Sequence, residues 1–129
     1  MCKNAHRAMF SKILRDDMKY GERRFTMVNY SEMTQEALVA CQKDCVEFRR
    51  ASSHGGIQMV IVYPNGYGAS IIKHAGSYGG ESDLWEVAVL VREPSGKMNI
   101  CYDTPITYDV IGWLEESEVI DICQSIRAL

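Results

Sequence analysis

A turn between two β-patterned runs constrains the fold more than any other feature of the sequence. The run before the turn alternates between two sets of residues, Ile57, Met59, Ile61 and Tyr63 against Gln58, Val60 and Val62. Asn65-Gly66 then supplies two residues that tolerate the positive φ required by a primed hairpin turn. We therefore predict an antiparallel β-hairpin that turns at Pro64-Asn65-Gly66-Tyr67, with residues 68–74 as the returning strand.

Two later segments carry the same two-residue period. Residues 84–92 place Trp85 and three valines on one very apolar face, and residues 98–103 alternate after a second turn at residues 94–97. Both runs contain β-branched and aromatic residues, which suit a strand. The sequence therefore predicts a four-stranded antiparallel β-meander over about residues 57–103.

Helical periodicity precedes this sheet. An apolar stripe predicts a helix over about residues 32–50, with Ser31 or Thr34 at its N-cap. The stripe consists of Ala37, Leu38, Cys41, Cys45 and Phe48. Residues 52–56 are rich in serine and glycine, and we interpret them as a flexible connection into the sheet.

A second helix is predicted after the sheet. Residues 104–114 show no regular period, and a last helix follows over about residues 115–128, where acidic residues suit the N-terminus. An isolated meander would leave one hydrophobic face in water, so we expect the helices to pack against it. We therefore predict an α+β fold in which a four-stranded antiparallel β-meander packs against two or three helices.

The N-terminal segment differs in charge from the rest of the chain. Residues 1–28 contain seven Lys/Arg and three Asp/Glu, a balance of +4, whereas residues 29–129 contain seven and fourteen, a balance of −7. Apolar residues at helical spacing predict a short helix over residues 3–19. We interpret residues 1–28 as a basic N-terminal helical extension and residues 29–129 as a single α+β domain.

The basic extension has two interpretations. We expect it to dock on the protein's own acidic body. Contact with nucleic acid through the basic helix is the disfavoured alternative, because the acidic remainder of the chain would repel phosphate.

The apolar runs and the cysteines of the sequence indicate where in the cell the protein is expected. The apolar runs are shorter than the roughly 18 residues that a membrane span needs, and no apolar stretch with a small-residue cleavage site follows the basic N-terminus. The five cysteines are odd in number and scattered, which favours reduced thiols. We therefore expect a cytoplasmic protein with no membrane contact.

Residues that could carry chemistry occur without the spacing that catalysis requires. Cys101, His74 and Asp103 are the set that could supply a nucleophile, a base and an orienting acid. Cys101 lies in a predicted strand between two apolar residues, however, so we interpret it as part of the core. We assign no catalytic residue.

No metal or cofactor is assigned either. Cys41 and Cys45 share a predicted helical face but lack a second ligand pair. An acidic rim could hold Mg²⁺ or Ca²⁺, since hard cations prefer carboxylate oxygens, but it lacks the spacing of a calcium loop. This acidic rim consists of Glu81, Asp83, Glu86, Asp103 and Asp109. A small metal-dependent hydrolase or nuclease that uses the rim with His74 is the enzymatic alternative.

Aromatic side chains near the loops are the better functional candidates. The glycine-rich segment at residues 76–80 lacks the Lys-Ser/Thr ending of a phosphate-binding loop and precedes no predicted helix. Loop aromatics are used more for recognition than for packing. The candidate binding residues are Tyr67, His74, Ser77, Tyr78 and Trp113. We therefore favour non-enzymatic binding to a protein partner over catalysis. A self-associating homo-oligomer is an alternative, because an open meander has edge strands.

Five motifs in the second half of the chain form one recognisable pattern. They are Asn65-Gly66-Tyr67-Gly68-Ala69-Ser70, Gly76-Ser77-Tyr78-Gly79-Gly80, Leu84-Trp85-Glu86-Val87-Ala88-Val89-Leu90, Cys101-Tyr102-Asp103-Thr104-Pro105-Ile106-Thr107 and Asp109-Val110-Ile111-Gly112-Trp113-Leu114. Together they resemble a family of small uncharacterised bacteriophage accessory proteins, over roughly residues 58–129. The chain departs from that pattern at Leu114-Glu115, where such families often carry a Ser or Thr helix cap.

The resemblance implies a biological setting rather than an activity. A protein of this kind works in a bacterial host cytoplasm and binds a host or phage protein, in some cases to inhibit a host defence. The motifs by themselves contain no catalytic signature, so the resemblance leads us to expect a setting and a type of partner but no activity.

Overall fold

The structure, a computed structural model, describes residues 30–129. The helix predicted over residues 3–19 and the proposed extension lie outside the described residues. The elements in chain order are α1 (Gln35–Cys41), β1 (Glu47–Ser53), β2 (Gly56–Val62), β3 (Tyr67–Lys73), a short 3₁₀ turn (Gly80–Ser82), β4 (Trp85–Arg92), β5 (Met98–Ile100), β6 (Ile111–Leu114) and α2 (Glu116–Arg127).

The strands form one antiparallel sheet. β1 to β5 follow one another as neighbours, and β6 pairs with β4 on the same side as β5. The four predicted strands correspond to β2, β3, β4 and β5, so the α+β meander is confirmed for the described residues. β5 is shorter than predicted and ends at Ile100. β1 and β6 are strands that the sequence patterns did not reveal.

The helix predicted over residues 32–50 is wrong beyond Cys41. Gln42 leaves the helical conformation as the C-cap of α1, and Asp44 adopts a left-handed conformation with φ of 62°. The chain then runs as β1, paired with β2 along its whole length. The apolar stripe misled the prediction because Phe48 packs against the core from a strand as well as it would from a helix.

The connection predicted as flexible, residues 52–56, is a tight hairpin turn between β1 and β2. His54 and Gly55 have φ of 51° and 79°, and positive φ at both central residues is typical of a type I′ turn. At the next position, a Cβ on Gly56 would lie 2.1 Å from the carbonyl oxygen of Lys73. The turn therefore lies against the end of β3.

The hairpin between β2 and β3 forms where it was predicted, but its turn differs. Gly66 has a positive φ of 88° and Asn65 does not, and the Gly66 N–H donates to the Tyr63 carbonyl at 3.1 Å. A hydrogen bond over three residues followed by a left-handed glycine is the pattern of a type I turn with a bulge, in which Pro64 suits the first central position. The prediction of a primed turn is therefore wrong.

Both helices pack on one face of the sheet, as predicted. The main core joins this face to the buried sides of α1 and α2. Its buried members include Leu38, Cys41, Met59, Ile61, Tyr63, Ile71, Trp85, Val87, Val89, Val119, Cys123 and Ile126. The opposite face carries a smaller buried cluster of Val60, Val62 and Leu90. The alternation predicted for β2 and β4 is thus confirmed, because alternate residues point to opposite faces of a sheet.

α2 is fixed at both ends. It begins within one residue of the predicted start, with Glu115 as N-cap. The Glu115 N–H donates to Glu118 Oε1 at 2.8 Å, which is one half of a capping box whose N-cap residue is Glu115 instead of a Ser or Thr. At the other end Asn65 Nδ2 donates to the carbonyls of Ile126 and Arg127 at 2.9 and 3.1 Å. The β2–β3 hairpin therefore holds the end of the last helix.

Two further expectations concern cysteines and membranes. Cys41, Cys101 and Cys123 are free thiols, whereas Cys45 is disulfide-bonded, so the expectation of reduced thiols is wrong at Cys45. Within residues 30–129, neither helix has the length and apolar character needed to cross a membrane.

Candidate functional site

The loop between β3 and β4 brings most of the candidate residues together. It spans residues 74–84 and contains His74, Ser77 and Tyr78. β6, which carries Trp113, pairs with the beginning of β4. The loop and β6 therefore meet at one end of the sheet.

Ser77 and His74 hold the loop together from inside. Ser77 Oγ donates to the His74 carbonyl at 2.8 Å and accepts from the His74 N–H at 3.0 Å. Both residues are only 9% exposed. A Cβ on Gly80 would lie 1.8 Å from the same carbonyl, so the loop is packed too closely for a larger residue there. The structure therefore places these two candidates where they shape the loop rather than on its surface.

Tyr78 is held by its backbone on both sides. Its N–H donates to Glu86 Oε1 at 2.7 Å, and its carbonyl accepts from the Trp113 N–H at 3.0 Å. These two bonds fix the loop to β4 and to β6. The Tyr78 side chain remains 60% exposed.

The contact between the loop and β6 requires two glycines. A Cβ on Gly112 would lie 2.2 Å from the Cβ of Tyr78, and a Cβ on Gly79 would lie 2.8 Å from the Cα of Trp113. Gly79 also has a positive φ of 96°, which glycine adopts without steric cost. The backbones of the loop and β6 are therefore packed directly against each other.

Trp113 is both strained and exposed. Its φ is 58°, a left-handed conformation that costs a bulky residue on the order of 1–3 kcal/mol. Its side chain is nevertheless 61% exposed, so burial of the indole does not offset the strain. We call the neighbouring pair Tyr78 and Trp113 the aromatic patch.

Tyr67 does not belong to this patch. It begins β3, whereas the loop leaves the other end of the same strand. β3 has seven residues and a strand rises about 3.3 Å per residue, so the full length of β3 lies between Tyr67 and the loop. Of the five candidate binding residues, the structure thus brings four together and leaves Tyr67 at the opposite end of the sheet.

Comparison with known proteins does not name a relative. No family model, curated protein or solved structure matches the chain. The function therefore has to be argued from the geometry of the site.

The site includes His54, which the sequence analysis did not count among the binding residues. The ring of His54 lies 4.8 Å from the ring of His74, measured between centroids, because the turn after β1 lies against the end of β3. Burial lowers the pKa of His74, the charge of His54 lowers it further, and Glu86 acts to raise it. His54 was hidden by the interpretation of its segment as a flexible connection. The pair His54-Gly55, which lies between β1 and β2, was the sequence signal for a turn at this position.

The acidic rim does not form a metal centre in the described part of the chain. Among residues 30–129, no three His, Cys, Asp or Glu side chains are grouped so that they could hold a metal ion. Glu86 accepts from the Tyr78 N–H, and Asp109 accepts from the Val110 N–H at 2.7 Å. Glu86 and Asp109 therefore each hold a backbone N–H in place.

A second polar site lies on the helix side of the sheet, beside a cavity of about 430 Å³. Lys73 Nζ donates to the Ser31 carbonyl at 2.9 Å, pairs with Asp83 at 3.1 Å and lies 4.0 Å from the centre of the Trp85 ring. Burial lowers the pKa of Lys73. Although burial acts to raise it, the pKa of Asp83 is also lowered, by hydrogen bonds from Ser31 and Lys73. The ammonium group is fully engaged, so the cluster joins the segment before α1 to the sheet.

Proposed function

We propose that the protein is a small phage-type accessory protein that binds a host or phage protein through the aromatic patch, without catalysis. The observation that carries the proposal is Trp113, a large apolar side chain that stays exposed on a strained backbone. Strained backbone conformations persist only where the surroundings enforce them, and they cluster at functional sites. The phage setting is supported by the resemblance of residues 58–129 and is part of the proposal.

The patch has the properties of a binding surface. Tyrosine and tryptophan supply most of the binding energy at many protein interfaces. Both backbone polar groups of Tyr78 are already hydrogen-bonded, so the loop loses little further freedom when a partner binds. A preorganised surface gains affinity because this cost of ordering is avoided.

A capture experiment tests the proposal. The tagged full-length protein is incubated with bacterial lysate at pH 7.5, and bound proteins are quantified by mass spectrometry. Trp113→Ala and Tyr78→Ala remove the two rings. Tyr108→Ala is the matched control, because Tyr108 is 82% exposed and makes neither of the backbone contacts of the patch.

The expected result is a partner that is enriched by the wild type and by Tyr108→Ala, and lost with both patch variants. For that partner, each patch variant should weaken Kd by about 10- to 30-fold, the loss typical of an interface hot spot. The proposal is wrong if every captured protein binds the patch variants as well as the wild type, with the variants folded by circular dichroism.

Self-association is the second candidate, and the position of β1 favours it. In the sheet of residues 30–129, β1 is outermost and pairs with β2 on one side. An edge strand of seven residues offers free backbone groups for pairing with another chain. Light scattering across a concentration series decides, since a mass of 14.6 kDa at all concentrations would exclude it.

A further inference from the structure

The histidine at the start of the loop makes a hydrogen bond that depends on its protonation state. The Gly76 N–H donates to His74 Nδ1 at 3.0 Å. A ring nitrogen accepts a hydrogen bond only while it carries no proton. Protonation of His74 therefore breaks this bond and turns the acceptor into a second donor facing the Gly76 N–H.

The charged groups around His74 oppose one another. His54, in the turn between β1 and β2, has its ring 4.8 Å away, and two imidazolium ions at this distance repel each other. Glu86, on β4, attracts a charged His74, but it already accepts the Tyr78 N–H at 2.7 Å. A shift of Glu86 toward His74 would compete with the bond that holds Tyr78.

The direction of the titration follows from these contacts. Because burial and His54 lower the pKa of His74, the closed loop favours the neutral imidazole. A released loop would expose His74 and restore its ordinary pKa near 6.5. The closed loop is then fully stable above that pKa and loses stability as the pH falls below it toward the lowered value.

We propose that the loop is a pH-sensitive latch: it holds Tyr78 against β6 while His74 is neutral, and mild acid releases it. Release separates the Tyr78 carbonyl from the Trp113 N–H and dismantles the aromatic patch. The consequence for partner binding rests on the proposed function, whereas the release itself is a property of the protein alone.

Hydrogen exchange measured by NMR on the full-length protein tests the latch without any partner. The amides of Tyr78 and Trp113 report on the loop, and the amide of Ile71 in β3 reports on the sheet. Between pH 7.5 and pH 5.0 the protection factors of the two loop amides should fall about three- to tenfold relative to Ile71, the equilibrium effect of one hydrogen bond. Equal changes at all three amides would overturn the proposal.

Two variants separate the histidines. In His74→Asn the side-chain oxygen can replace Nδ1 as the acceptor and does not titrate, so loop protection should not change with pH. In His54→Asn the repulsion is removed and the positive φ is tolerated, so the loss of loop protection in acid should become smaller. If the loop amides of a folded His74→Asn variant lose protection as the wild type does, His74 is not the sensor.

The exchange experiment and the capture experiment fail independently. Loss of loop protection in acid without any patch-dependent partner would support the latch and contradict the proposed function. If a partner is lost with the patch variants but the protection of the loop amides does not change between pH 7.5 and pH 5.0, the proposed function is supported and the latch is contradicted.

Discussion

At the scale of single residues, the side chains that fix this fold are those that satisfy backbone groups of distant segments. Asn65 is the clearest example, because its Nδ2 reaches the carbonyls of Ile126, Arg127 and Leu129 at 2.9, 3.1 and 3.3 Å. The last carbonyls of a helix have no partner within the helix. A residue that the sequence marks as a turn former is therefore also the C-terminal cap of α2.

Replacement of Asn65 tests this role. Asn65 is itself exposed, so Asn65→Ala should lower the free energy of unfolding by about 0.5–1.5 kcal/mol, because the carbonyls at the end of α2 lose the donor that Asn65 supplies. Urea unfolding followed by circular dichroism measures the change. Asn99→Ala, the same substitution at a half-buried position in β5, is the control and should stay within about 0.5 kcal/mol. Equal effects of the two substitutions would contradict the capping role.

Substitutions at Lys73 and Asp83 should have unequal effects on the free energy of unfolding. The Lys73 side chain is 3% exposed and that of Asp83 is 47% exposed. Asp83→Asn leaves a buried ammonium without its counter-charge and should cost about 1–3 kcal/mol, whereas Lys73→Met removes the charge itself and should cost less. Urea unfolding at pH 7 compares them, and Lys73→Met in the Asp83→Asn background should restore part of the loss. A larger loss from Lys73→Met than from Asp83→Asn would contradict this account.

The same pair predicts how stability changes in acid. Because the pKa of Asp83 is lowered in the folded protein, the folded state binds fewer protons there than the unfolded state. The contribution of Asp83 is present above its ordinary pKa of 3.8 and is lost as the pH falls through the lowered value. Urea midpoints measured from pH 6 to pH 2.5 should therefore fall less steeply for Asp83→Asn than for the wild type. Parallel curves would show that Asp83 does not titrate with folding.

Part of the candidate site could be predicted from the type of each residue and its position in a loop. Tyr78 was identified because an aromatic in a glycine-rich loop is typical of recognition, and it is exposed as that reasoning requires. His74 and Ser77 were also identified, but their roles are inside the loop. The strain at Trp113 and the proximity of His54 and His74 follow from tertiary contacts, which no local pattern encodes.

At the scale of elements, the sequence predicted those with a strong period and missed those without one. β2 and β4 alternate because each has one face on the main core. β1 is an edge strand whose residues are mostly exposed or half-buried, so its pattern is weak. β6 has four residues, too few to show a period. α1 was overextended because helical and strand spacing both place an apolar residue at position 48.

The start of α2 gives a prediction at this scale. The Glu118 carboxylate accepts from the Glu115 N–H, so Glu118→Ala should lower the free energy of unfolding by about 0.5–1.5 kcal/mol, the net contribution of one hydrogen bond. Glu118→Gln keeps an acceptor at the same distance and should retain most of the stability, since glutamine serves in this position of a capping box. Thermal and urea unfolding of the two variants distinguish the hydrogen bond from the charge. If Gln costs as much as Ala, the helix dipole rather than the cap is responsible.

At the scale of the whole molecule, chain order made the topology predictable. Successive strands usually pair with their neighbours, and β1 to β5 do so without exception in the described residues. The anchoring of the end of α2 at the β2–β3 hairpin was not predictable, because it depends on one asparagine side chain that is 61 residues away in the sequence. Local patterns thus account for the sheet, whereas the position of α2 also depends on core packing and on a long-range hydrogen bond.

The proposed boundary at residue 29 leads to a last prediction. The described core extends from Met33 to Ile126, and Asn65 ties the end of α2 to the β2–β3 hairpin. Under reducing conditions, which open the disulfide of Cys45, a chain of residues 29–129 should therefore fold and unfold as one unit. In the background Trp113→Phe, Trp85 is the one remaining tryptophan of the two in the sequence, and it is buried in the core. Its fluorescence and the far-ultraviolet circular dichroism should then give coincident urea transitions. Separate transitions, or a truncated chain without a cooperative one, would show that residues 1–28 are needed for the fold and would move the domain boundary toward the N-terminus.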